Sequence, residues 1–159
     1  METSERPASR RVAVDLDGAL GDTRPLWDAF LADAARRFAP IAPLDPASLP
    51  RDRGEAAREL DAWASAGIGD WQRALERFAE DHAPVYLRPD PAVKAALRRL
   101  KSGGAGVVVF TDAPEALARV AVAHLGVARS VDEVMTGPGA RERAADGADV
   151  ISTAAELTG

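Results

Sequence analysis

Apolar residues along this chain follow two rhythms. Val12-Ala13-Val14 and Val107-Val108-Val109-Phe110 are short unbroken runs, and between them apolar residues recur every three or four positions. An unbroken run reads as a strand buried on both faces, and the wider spacing as a helix with one buried stripe. The first run predicts a strand over Arg11–Leu16. In the helix that follows, Asp22 or Thr23 is the candidate cap, Pro25 stands in the first turn, and Trp27, Phe30, Ala34 and Phe38 mark one face. Prolines from Pro40 to Pro46 break the pattern. A second helix is expected over Arg53–Ala66, closed by Gly67. A third is capped by Asp70, carries Trp71, Leu75 and Phe78, and is expected to end at Pro84.

From Asp90 the two rhythms alternate. Asp90-Pro91 opens a helix that ends at Gly103-Gly104, and Val107–Phe110 is the second strand. Thr111-Asp112-Ala113-Pro114 leads into a helix carrying Leu117, Val120 and Leu125 and closed by Gly126. Val131–Thr136 predicts a short strand, Gly137-Pro138-Gly139 a turn, Arg141–Ala145 a short helix, and Ala148–Ser152 the last strand. Strands alternating with helices predict an α/β fold with right-handed crossovers and a parallel sheet. The stretch 21–84 has no strand signal and reads as a helical insertion above the carboxyl end of the first strand.

Composition narrows the class. The chain has 159 residues, 47% of them hydrophobic, enough for one cored domain with an insertion. No apolar run is long enough for a membrane span. The polar Met1–Arg11 segment lacks the apolar centre of a signal peptide, so residues 1–10 are expected to be a loose tail and the protein cytoplasmic. The absence of cysteine excludes disulfides, thiolate catalysis and Cys-ligated metals. A net charge of −5 argues against nucleic acid as the main partner.

The candidate chemistry sits where the first strand ends. In Asp15-Leu16-Asp17-Gly18, two carboxylates one residue apart share a face if the strand continues, at the sheet edge where open α/β folds bind ligands. Two acids buried there demand a cation or a protonated partner. Asp112 reads first as a cap for the helix near Pro114. Arg36-Arg37 and Arg51/Arg53 read as solvated faces rather than anion-binding groups. Trp63 and Trp71 read as packing residues of the insertion, and neither His82 nor His124 has a ligand partner at useful spacing.

These residues resemble the haloacid dehalogenase-like hydrolase superfamily. Asp15-Leu16-Asp17-Gly18-Ala19-Leu20 is similar to its first motif, DxDGTL, with Ala19 in place of threonine, and Val107–Thr111 to its second, an apolar strand ending in Thr or Ser. The resemblance implies a Rossmann-like core over 11–20 and 85–159, with an inserted α-helical cap over 21–84. It implies a phosphatase of a small phosphorylated metabolite. Asp15 would be the nucleophile, forming an aspartyl-phosphate, and Asp17 the general acid and base. Mg²⁺ would lie on the Asp15 carboxylate and the Asp17 carbonyl, and Thr111 and the Asp112 N–H would hold the phosphoryl group.

Two departures bear on this implication. The family's third motif is a lysine, sometimes an arginine. The chain's only lysines, Lys94 and Lys101, precede the second strand, which leaves Arg141 and Arg143 in the matching segment. The fourth motif supplies an acid after the last strand. Here Thr153 stands in its place and Glu156 is the nearest carboxylate, so Mg²⁺ is expected to bind weakly through Asp15, Asp17 and Glu156. A non-catalytic relative that binds a ligand or partner is the second reading. A metal-independent dehalogenase is the third, weakened by Asp17, which such chemistry does not require.

Overall fold

The computed structural model describes residues 10–159, so the expected N-terminal tail lies, through residue 9, outside the described residues. Four parallel strands form one sheet in the order β3-β2-β1-β4. They are β1 (Arg11–Asp15), β2 (Gly106–Phe110), β3 (Glu133–Met135) and β4 (Asp149–Ile151). Seven α-helices accompany them among the described residues: α1 (Arg24–Phe38), α2 (Arg53–Ala64), α3 (Trp71–Tyr86), α4 (Pro91–Ser102), α5 (Glu115–His124), α6 (Ala140–Ala145) and α7 (Ala154–Thr158). None is long and apolar enough to cross a membrane.

Strand alternation divides the core between two faces. Val12, Val14, Val107 and Val109 join a large cluster that runs on through Leu26, Leu60 and Leu75 of α1–α3 and Leu97 and Leu117 of α4 and α5. Ala13, Val108 and Phe110 face the other way, onto Ala140 and Ala144 of α6. Each fully buried leucine contributes about 1.5–3 kcal/mol relative to exposure. The large cluster is continuous from sheet to insertion, so α1–α3 are seated by the same apolar burial that forms the sheet's main core. Within the insertion Trp71 is buried, edge-on to Trp27 with centroids 6.4 Å apart, and its indole N–H donates to Asp61 at 2.7 Å.

Register fixes the functional edge. Asp15 lies opposite Phe110 and Val14 opposite Ile151, so Asp15, Thr111 and Ser152 leave the sheet at nearly one level. After Asp15 the chain makes a wide turn over Leu16–Leu20. Gly18 has φ 131°, and a Cβ there would stand 2.6 Å from the Ser152 carbonyl oxygen, so both conformation and space require glycine.

Several elements differ from the sequence expectation. Pro84 does not end the third helix but lies inside α3, which runs on to Tyr86. A proline removes only its own amide donor, and the Leu87 N–H still reaches the Ala83 carbonyl at 2.8 Å. The edge strands β3 and β4 are three residues each, shorter than their apolar signals. The segment after the last strand, read for a metal-binding acid, forms the short helix α7. Thr153 caps it by accepting from the Glu156 N–H at 3.2 Å, and the Glu156 carboxylate reaches back to the Ser152 N–H at 3.2 Å. This is close to a capping box, and the Thr-x-x-Glu spacing was its visible signal.

Candidate active site

At the end of β1 the backbone turns so that the Asp17 N–H donates to Asp15 Oδ1 at 3.0 Å. On its other oxygen Asp15 faces Arg141 Nη1 at 3.5 Å. Arg141 stands at the start of α6 with its guanidinium over the Phe110 ring, 5.4 Å from the centroid, and within 3.4 Å of Ser152 Oγ. Burial, reinforced by the Asp17 charge, pushes the Asp15 carboxyl up from 3.8 to about 6, against the Asp17 N–H bond and the Arg141 charge.

Asp17 has four donors. Oδ1 accepts from the Thr23 N–H at 2.8 Å and the Thr23 hydroxyl at 2.6 Å. Oδ2 accepts from the Thr111 hydroxyl at 2.7 Å and from Arg53 Nη2 at 2.6 Å. Burial alone would raise its pKa. The Arg53 charge and the hydroxyl and amide donors outweigh burial and hold Asp17 below the ordinary carboxylate range.

Arg53 corrects the sequence reading most sharply. Expected on a solvated face, it is fully buried, at 0% exposure. Its Nε and Nη2 both donate to Asp112 Oδ1, at 3.1 and 2.9 Å, and Nη1 donates to Thr23 Oγ1 at 2.7 Å. It is the first residue of α2, and its own backbone N–H donates to Asp112 Oδ2 at 2.9 Å. Arg51 is exposed, as expected, and Arg36 and Arg37 pair with Asp33 on the α1 surface. A lone arginine in a surface-like pattern carries no sign of burial. The local clue was Asp52-Arg53-Gly54, a cap and a glycine at a helix start where close approach is possible.

Asp112 is corrected with it. The carboxylate does not cap α5, whose N-terminal residue Pro114 has no side-chain capping bond. Instead it crosses to the insertion, accepting from the α2 backbone and from two guanidiniums, the second being Arg24 at 3.1 Å. Burial would raise its pKa, but the Arg53 amide and guanidinium lower it on balance. Gly54 completes the junction. A Cβ there would lie 2.5 Å from the Pro138 ring, so α2 begins in direct contact with the loop after β3. Gly54→Ala is therefore expected to destabilise the fold by about 1–3 kcal/mol, the usual cost of overpacking, read as a lower urea midpoint.

The pKa shifts predict a pH profile. Asp17 and Asp112, lowered in the fold, contribute stability that is present above the unfolded value near 3.8 and lost as pH falls below it. Asp15, raised to about 6, acts with the opposite sign, since its ionised form is disfavoured in the fold. Stability should thus rise as pH falls from 7 towards 5, then fall in the acid range below 4. Urea midpoints across pH would show a maximum between those arms; a profile that rises from pH 5 to pH 7 would contradict the Asp15 assignment.

The cleft over these groups holds about 400 Å³ and is lined by Asp15, Asp17, Arg53, Thr111, Asp112 and Arg141 among others. Five of the six candidate site residues are thus brought together. Glu156, expected as a metal ligand, instead turns to the Ser152 N–H, and no group of three His, Cys, Asp or Glu side chains that could hold a metal occurs among the described residues. The donor chemistry suits Mg²⁺ poorly: Asp17 has both carboxylate oxygens occupied and leaves only its backbone carbonyl, Asp15 faces a guanidinium, and Thr153 offers no charge. His124 and His82 bond to backbone carbonyl oxygens of Leu87 and Phe78, away from the cleft.

Comparison with known proteins finds similar chains. The chain is 33% identical over 151 residues to a phosphoglycolate phosphatase of Rhodospirillum rubrum, covering 86% of this chain and 62% of that protein. It is 29% identical over 153 residues to a phosphoglycolate phosphatase of Neisseria gonorrhoeae, covering 83% and 60%. The chain therefore spans about three fifths of these relatives' length. A solved structure of a beta-phosphoglucomutase candidate from Thermotoga maritima superimposes with a TM-score of 0.48 at 21% identity, over 80% of this chain and 61% of that one. The model of the haloacid dehalogenase-like hydrolase family matches residues 12–155, nearly all of the described chain, and to that family the chain belongs.

Proposed function

We propose that this chain is a phosphatase of a small phosphomonoester, working through Asp15. The observation that carries the reading is the convergence of Asp15, Asp17 and Thr111 at the ends of two adjacent parallel strands, beneath a cleft lined by arginines. The phosphoglycolate phosphatases it resembles support the reaction class. Asp15 would attack phosphorus, the bond to the leaving oxygen would break, and water would later cleave the aspartyl-phosphate. Asp17, two residues on, lines the same cleft and would transfer a proton to the leaving oxygen. In the structure its oxygens are held by Thr23, Thr111 and Arg53, so proton transfer requires this grip to loosen when substrate enters. Arg141 would meet the phosphoryl oxygens from the side of Asp15. Mg²⁺ belongs to this proposal only as a weakly held ion, because Asp15 is the one acid that could meet it. A cytoplasmic setting and a small metabolite as partner are part of the same proposal.

The occupied state of Asp17 favours a second reading, a ligand-binding relative without turnover. Hydrolysis of p-nitrophenyl phosphate by the purified chain, with and without added Mg²⁺, separates the two. The first reading expects slow turnover that Asp17→Asn reduces. Turnover absent in both buffers, with the fold intact, would leave the binding reading.

A further inference from the structure

We infer that the cleft binds a phosphate-type oxyanion without a divalent cation, Arg141 and Arg53 standing against Asp15 and Asp17 where a metal's charge would act. The inference shares the cleft with the phosphatase reading but does not depend on turnover.

Charge balance is the first argument. The inner groups are Asp15, Asp17 and Asp112, and each faces a guanidinium: Arg141 on Asp15, Arg53 on Asp17 and Asp112, and Arg24 on Asp112 as well. Three carboxylates therefore meet three guanidiniums inside the cleft. Asp52 and Glu142 also line it, but Asp52 caps α2 through the Glu55 N–H and Glu142 is exposed to water. A divalent cation entering here would meet repulsion from Arg53 and Arg141 before it found a free carboxylate oxygen.

Geometry is the second. Arg53 is wholly buried and bonded through all three of its nitrogens, so it is a fixed internal cation rather than a mobile ligand group. Arg141 differs. Its side chain is 55% exposed, and its contacts to Asp15 and Ser152 are long, at 3.5 and 3.4 Å, while the Phe110 ring supports its plane. A guanidinium so placed can exchange a loose carboxylate contact for the two parallel bonds that a phosphate offers. Arg53, by neutralising Asp17, removes the repulsion that an entering anion would otherwise meet from that side.

The test is calorimetric titration of the full chain with inorganic phosphate, once in EDTA and once in millimolar MgCl₂. The expected result is binding in EDTA with an affinity that Mg²⁺ leaves essentially unchanged. Arg141→Gln should weaken it about 10- to 100-fold, the value of charge-assisted bonds, and Arg141→Lys by less. Asp15→Asn, which removes the carboxylate competing for Arg141, should strengthen it. Binding seen only with Mg²⁺, binding in EDTA that Arg141→Gln leaves unaltered, or no binding in either buffer would each overturn the inference. Hydrolysis of p-nitrophenyl phosphate is scored separately. Metal-free binding without turnover sustains the inference while removing the phosphatase reading, and Mg²⁺-dependent binding with turnover does the reverse.

Discussion

Asp15→Asn is expected to reduce phosphomonoester hydrolysis by about three orders of magnitude or more and, in the same molecule, to make the fold more stable at neutral pH. The first effect follows from chemistry. An amide oxygen is a poor nucleophile towards phosphorus, and removing the attacking group of a covalent mechanism leaves only what binding and orientation supply. The second follows from the site's electrostatics. A carboxyl whose pKa stands at about 6 instead of 3.8 is disfavoured as an anion in the fold, which corresponds to about 3 kcal/mol at neutral pH. Asparagine retains an oxygen to accept the Asp17 N–H at Oδ1 and carries no charge to desolvate. It gives up the Arg141 contact, which at 3.5 Å to a half-exposed side chain is worth little. The two measurements are the rate with p-nitrophenyl phosphate and the urea midpoint at pH 7. Unchanged turnover would remove Asp15 from the mechanism. Reduced stability would mean that Arg141 outweighs the burial of Asp15.

Legibility in the sequence followed the range of the interactions. β1 and β2 were readable because an unbroken apolar run has few alternatives, and their order places Asp15, Asp17 and Thr111 at one edge. The helices α1–α3 were readable from their aromatic and leucine spacing. Two things escaped. Edge strands β3 and β4 are short because only one neighbour supports each, a tertiary fact absent from their apolar signals. The second was Arg53. Its importance comes from Asp17, 36 positions away, and Asp112, 59 positions away, and the flanking Asp52 and Gly54 mark a helix start without showing that the side chain is buried. The polar centre was therefore half legible. The carboxylates showed themselves by falling at the ends of apolar strands, where an acid needs a reason, whereas an arginine on an amphipathic helix needs none. The same asymmetry explains the reading of Asp112, whose position before Pro114 offered a local capping role while its actual partners lie across the cleft.

Asp112→Ala is expected to cost the fold about 3 kcal/mol or more, although Asp112 lies on a loop. Its two oxygens accept from four donors: Arg53 Nε, Arg53 Nη2, the Arg53 backbone N–H and Arg24 Nη2. Alanine would leave a wholly buried guanidinium with Asp17 as its remaining charged partner, and would orphan an amide at the start of α2. Removing one member of a buried ion pair typically costs about 3–5 kcal/mol, because the surviving charge stays desolvated. Asp112→Asn should cost less, since it keeps the shape and one acceptor oxygen while losing the charge. The damage should be local in character. α2 would lose its carboxylate tie to the β2 loop, keeping the Arg53 bonds to Asp17 and Thr23 and the contact of Gly54 with Pro138, so amide exchange in α2 should accelerate before exchange in β1 and β2. Denaturant titration measures the magnitude and hydrogen exchange the location. A loss under about 1 kcal/mol, the worth of a solvent-exposed pair, would show that in solution water reaches Arg53 and that α2 does not stay closed on the sheet edge at Asp15.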